Sequence, residues 1–178
     1  EIIEKEIEKA HFYFFYAHTI QDHYPLYDLN ILKNALVTGF QSVIDFIVHL
    51  LGASGSIEDS DLLVHTLHYP NTKSHADAME TLERNSNPKI FNQICSLLDD
   101  IPLEDKLELC MEYQEGKSRL SLLELLNKLE NSPSLFEKAV VAHLKTKFQM
   151  PNWQQSLKEQ IKTSEHLFHH FAYELLEK

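Results

Sequence analysis

The sequence predicts an all-α protein, a HEAT-like helical array or irregular α-solenoid, and three observations predict it. There are only 4 Gly and 6 Pro in 178 residues, and the prolines fall between periodic segments rather than inside them. Leucine is abundant and valine scarce, which favours helix over strand. Apolar residues recur at the three- and four-residue spacing of an amphipathic helix along nearly the whole chain. About nine helices are expected, the middle ones of about 11 to 15 residues with short polar connections. Residues 1–178 read as a single helical domain. It comprises a long N-terminal antiparallel hairpin (1–52), an array of short helices (57–148) and a long C-terminal helix (151–177).

The hairpin opens with a helix over residues 1 to 23. Ile3, Ile7, Ala10, Phe14 and Ala17 make its stripe, and the run from His11 to Tyr16 places aromatics all round it. A helix apolar on every side is covered on more than one side, here by neighbours or by a partner. The second helix starts near Pro25–Asp28 and runs to Leu51, with Leu29, Leu32, Leu36, Phe40, Val43, Ile47 and Leu50 in register. Gly39 costs this helix about 1 kcal/mol relative to Ala, which close approach of a neighbouring backbone would repay. Residues 52–56, Gly-Ala-Ser-Gly-Ser, are the expected hinge.

Shorter helices follow. Residues 57–69 end at Pro70. The helix over 74–84 is expected to organise the chain, capped by Asn71 or Ser74, with His75, Ala78, Met79 and Leu82 on one side. Glu80 lies off that line and needs water or a partner, Arg84 or Lys73. Asn87 caps the next helix with Pro88 at its first position. A helix over 103–115 ends at Gly116, and Ser118 starts one over 119–129. Ser132-Pro133 repeats the cap-then-Pro signature before 135–148. Trp153 opens the last helix and packs at its start.

The net charge is −11 and it is uneven: residues 54–115 hold 13 acidic against 4 basic side chains, a local charge of −9. An acidic surface repels phosphate backbones and anionic lipid, which argues against nucleic acid and against direct attachment to a membrane. Cys95 and Cys110 read as reduced core thiols without zinc-site spacing. The longest apolar run, 43–51, is interrupted by Asp45 and His49, so no membrane insertion of this chain is expected. No signal peptide is visible.

The phrase Ala76-Asp77-Ala78-Met79-Glu80-Thr81-Leu82-Glu83 resembles one in the soluble C-terminal region of ATP/ADP translocase-like and major-facilitator bacterial transporters with HEAT-like tails. Asp77 stands where that pattern has Asn, and Glu83 where it has Asp. The flanks agree in outline from Glu1 to Asp100. The resemblance implies a cytoplasmic docking or regulatory domain at the inner face of the inner membrane, part of a longer membrane protein. Translocation itself would not occur in this chain.

No Gly-rich phosphate loop, G-x-S-x-G or H-E-x-x-H occurs, so no catalytic or cofactor-binding residue is assigned and no enzyme is expected. Glu8-x-x-His11 is the single Glu-x-x-His spacing, whereas a di-iron bundle needs two such motifs. His11 and His18 lie near the first helix's stripe and read as satisfied core histidines. His65 and His68 read as surface or partly packed. His166 and His170, four apart and opposite the apolar stripe, are metal-ligand candidates without a complete ligand set. Phe12, Tyr13, Phe15 and Tyr16 are the candidate contact surface for a protein partner, the chain's own membrane domain or a cytosolic protein. The sequence therefore reads as a non-catalytic interaction domain. The alternatives are a free-standing helical adaptor, such as a secreted effector or secretion-system subunit, and a His-dependent metal protein.

Overall fold

A computed structural model describes residues 2–55, 57–68, 72–113, 119–163 and 166–177. Ten helices and no strand lie among the described residues, so the chain is all-α. They are α1 (Ile2–His23), α2 (Asn30–Ala53), α3 (Ser60–His68), α4 (Thr72–Asn85) and α5 (Pro88–Leu98), then α6 (Leu103–Tyr113), α7 (Leu122–Glu130), α8 (Leu135–Lys147), α9 (Trp153–Thr163) and α10 (His166–Leu176). The long helix expected over 151–177 is described as α9 and α10 on either side of residues 164 and 165. Asn71, Pro70, Gly116 and Ser118, singled out in the sequence, lie outside the described residues.

The chain divides into two compact units, Glu1–His23 with Leu36–Lys117, and Tyr24–Ala35 with Ser118–Lys178. The division runs through α2 rather than through the glycine-containing stretch at 52–56.

In the first unit α1 is the centre, and α4, the expected organiser, packs on α3 and α5 at the margin. α1 packs on α5 and α6, and α3 on α4, α4 on α5 and α5 on α6 follow in order. The reason lies in the aromatic run. Phe12 is 9% exposed, Phe15 1% and Tyr16 1%, so three of the four rings expected to meet a partner are core. Tyr13 is half-buried. α1 meets α2 through these rings: Phe14 stands edge-on to Phe40, with ring centroids 5.4 Å apart. Large rings hold two backbones apart, which is why α1 has its nearest backbone neighbours in α5 and α6 and not in the α2 arm of the expected hairpin.

Gly39 serves the same packing. A Cβ there would stand 2.8 Å from the Tyr13 ring, so the glycine makes room for an aromatic face rather than for a backbone. Gly39→Ala is therefore expected to lower stability despite Ala's helix preference of about 1 kcal/mol. In a Tyr13→Ala background the same change is expected to stabilise. Urea unfolding of the four chains gives the coupling, expected at about 1–2 kcal/mol; a coupling near zero would show that the ring swings aside freely.

Local signals hold elsewhere. Asn87 caps α5, its side chain accepting from the Lys89 amide at 2.9 Å, with Pro88 at the first position. Glu80 pairs with Arg84 one turn on, and both are exposed. In the second unit α8 is the centre, packed by α7, α9 and α10. Its neighbour α7 is capped by Ser121 through a full capping box with Glu124. Ser134 caps α8, not the expected Ser132, whose hydroxyl accepts from the Ser134 amide. α8 ends in a Schellman motif: Gln149 takes φ 50°, Met150 N donates to Lys145 O at 2.9 Å and Gln149 N to Thr146 O at 3.1 Å. Pro151 then prevents continuation. Trp153 packs against a cluster of Ala142, Leu157, Phe168, Ala172 and Leu175, the packing role its position suggests.

Candidate functional site

The buried face of α1 carries His11, which is fully buried. Its Nε2 lies 3.1 Å from the Gln93 carbonyl oxygen. A carbonyl only accepts, so Nε2 carries the hydrogen and Nδ1 is the acceptor. Cys110 Sγ lies 3.4 Å from Nδ1 and donates to it. The Tyr113 ring stacks on the imidazole, centroids 3.8 Å apart and 10° from parallel. Burial lowers the His11 pKa to about 4, partly offset by the Gln93 bond, and pushes the Cys110 thiol up to about 12. A nucleophilic cysteine needs the opposite shift. His11 and Cys110 are thus a neutral hydrogen-bonded pair of the core, and His11 is the satisfied histidine its position predicts. Cys95 is half-buried and free, its thiol also pushed up, by burial first and then by Asp99.

A second constellation in the first unit has the features of a ligand site. A cavity of about 240 Å³ opens among α1, α2, α3 and α5. Phe14, Ala17 and Ile44 form its buried floor, and Phe40, Leu67 and Leu98 its half-buried sides. Its polar groups are His18, Gln41 and His68. His18 is exposed, contrary to the core position expected, and its Nδ1–H donates to Phe14 O at 2.9 Å. His68 Nε2 lies 2.6 Å from Asp45 Oδ1, a bond that ties α3 to α2. Apolar walls with a few placed polar groups are the usual make-up of a small-molecule site.

In the second unit a charged cluster is buried where α7, α8 and α9 meet. Lys145 Nζ donates to Asn127 Oδ1 and to Glu130 Oε2, each at 2.8 Å. Ser156 Oγ and Gln160 Nε2 both donate to Glu130 Oε1. Lys145 and Ser156 lie 3.5 Å apart, but the serine proton is committed to Glu130 and the amine is held by a carboxylate. A serine nucleophile needs a neutral base, so this cluster is structural. No sequence motif announced it. The available signals were Lys145 within a turn of the apolar run Val140-Val141-Ala142 and the one-turn spacings Asn127/Glu130 and Ser156/Gln160.

The histidines proposed as metal ligands lie one turn apart on α10. His166 and His170 are exposed; His166 rests near the His169 ring, and His170 stands 3.4 Å from Glu174 one turn on. No group of three potential ligands occurs among the described residues. α2 is long and apolar enough to cross a membrane by length and composition, with mean hydropathy 1.5 over its best window, of which 44% is buried within the protein. Leu36, Ile44, Ile47 and Val48 account for much of that burial. The run 43–51 understated this helix, because Asp45 interrupts it in sequence yet sits against His68 in the fold. No protein-family model, curated protein or solved structure matches the chain.

Proposed function

We propose that this chain is a non-catalytic interaction domain that docks on the cytoplasmic face of a membrane transporter-like domain in the same polypeptide. The observation that carries the reading is the charge of the first unit's surface. Glu58, Asp59, Asp61, Asp77, Glu80 and Glu83 are all exposed, and so are Asp100, Glu104, Asp105, Glu108 and Glu112. The cytoplasmic loops of membrane proteins carry excess Lys and Arg, so their inner face is the complementary surface. The phrase at 76–83 supports the same partner. Its acidic members Asp77, Glu80 and Glu83 lie on the exposed side of α4, while Ala78, Met79 and Leu82 are buried. The ordered packing of α3, α4, α5 and α6 is what a HEAT-like array requires.

The reading is tested on the encoding gene and on the protein together. About twelve apolar segments are expected upstream of Glu1, each of about 20 residues. Reversing Glu104, Asp105 and Glu108 to Lys is expected to release the domain from those segments when the two are co-expressed as separate chains. A start codon immediately before Glu1, or co-purification unchanged by the charge reversal, would sink the proposal.

A further inference from the structure

The geometry points to the cavity between α1, α2 and α3 as a binding site for a small aromatic hydrogen-bond donor, of the indole or phenol class. Size comes first. Benzene occupies an apolar cavity of about 150 Å³, so the 240 Å³ here has room for a guest of about ten non-hydrogen atoms. The walls suit an aromatic ring, since Phe14 and Phe40 meet edge-on at 5.4 Å and present ring faces and edges to the space.

Polarity decides the head group. The Phe14 carbonyl takes the hydrogen on His18 Nδ1, so in the neutral ring Nε2 is an acceptor. The Asp45 carboxylate takes the hydrogen on His68 Nε2, so the remaining His68 nitrogen is likewise an acceptor. Gln41 adds an amide with an oxygen to offer. Two imidazole acceptors on an aromatic-walled cavity, with a carboxylate behind one of them, favour a guest that donates. They disfavour a carboxylate, whose charge would face Asp45. None of the acidic residues of the docking surface lines this cavity, so the two proposals fail separately.

Calorimetric titration of the chain at about pH 8 tests it. The probes are 3-methylindole, N-methylindole of the same size without the N–H, and benzoate. Saturable one-to-one binding of 3-methylindole is expected, at least about fivefold tighter than N-methylindole, the usual weight of one neutral hydrogen bond. Benzoate is expected to bind weakest. His18→Ala and Gln41→Ala alter exposed side chains that leave the core intact, and at least one is expected to weaken 3-methylindole about fivefold. Ala17→Leu fills the floor and is expected to abolish binding. Equal affinity for the two methylindoles, tighter binding of benzoate, or no saturation by 3-methylindole at its solubility limit would overturn the assignment. So would full affinity in both rim variants.

Discussion

Replacing Lys145 by Met is expected to destabilise the second unit by about 3–5 kcal/mol, and adding Glu130→Leu to the same chain is expected to restore part of the loss, less the cost of leaving Ser156 and Gln160 without their acceptor. The asymmetry follows from burial. The Lys145 side chain is 6% exposed and that of Glu130 17%, so water cannot replace a lost partner. With Lys145 gone, the Glu130 carboxylate keeps only the donors Ser156 and Gln160, and its charge is uncompensated in a poorly solvated site. With both charges gone, Met and Leu fill a similar volume with apolar atoms, and a matched apolar pair is often as stable as the ion pair it replaces. Asn127, which is exposed, can turn to water. Trp153 lies in the same unit, so its fluorescence during urea unfolding reads the relevant transition. A loss under about 1 kcal/mol in the single variant would show that the site admits water. A double variant no better than the single would place the cost in shape rather than charge.

The parts of this fold that sequence reveals are those written in one stretch of chain. Asn87-Pro88 announces α5 because cap and proline chemistry act within one turn. The three- and four-residue spacing announces α4 and places Ala78, Met79 and Leu82 inside. Capping misled where several serines stood close together. Ser121, not Ser118, has Glu124 three residues on, and that spacing was legible as a capping box. The role of the α1 aromatics was not legible. Rings all round a helix mean cover on every side, but the pattern is the same whether the cover is α5, α6 and α2 or another protein. The candidate site was hidden for a related reason. Phe14, Gln41 and His68 come from three helices, and only the fold sets a histidine with one nitrogen tied to a carboxylate beside two phenylalanines. The Lys145 cluster is of the same kind, since Glu130 and Lys145 are charges that sequence statistics assign to the surface.

The stability of the wild-type chain is expected to fall by about 1.5 kcal/mol between pH 6.5 and pH 5 from His11 alone, and a His11→Phe chain is expected to lack that contribution. Burial holds the folded pKa of His11 at about 4, below its ordinary value of about 6.5. Below about pH 6.5 the unfolded chain takes up a proton that the folded chain refuses. Stability is therefore complete above that pH, is lost as pH falls towards about 4, and levels off below it. The whole span corresponds to about 3 kcal/mol. Phenylalanine keeps a ring against Tyr113 but leaves Gln93 O and the Cys110 thiol without their partner, so the variant starts lower at pH 7. The test is consequently the difference in slope and not the difference in stability. Glu4, Asp28 and Glu124 have carboxyls held below their ordinary range, by Lys89, by Asn30 and Lys147, and by Ser121 respectively. They lose stability in acid too, but below this window and equally in both chains. Parallel slopes would mean that His11 is protonated in the folded state near neutrality. A cation would then lie between Tyr113 and the Cys110 thiol, and that thiol would be drawn towards the reactive form that its burial now suppresses.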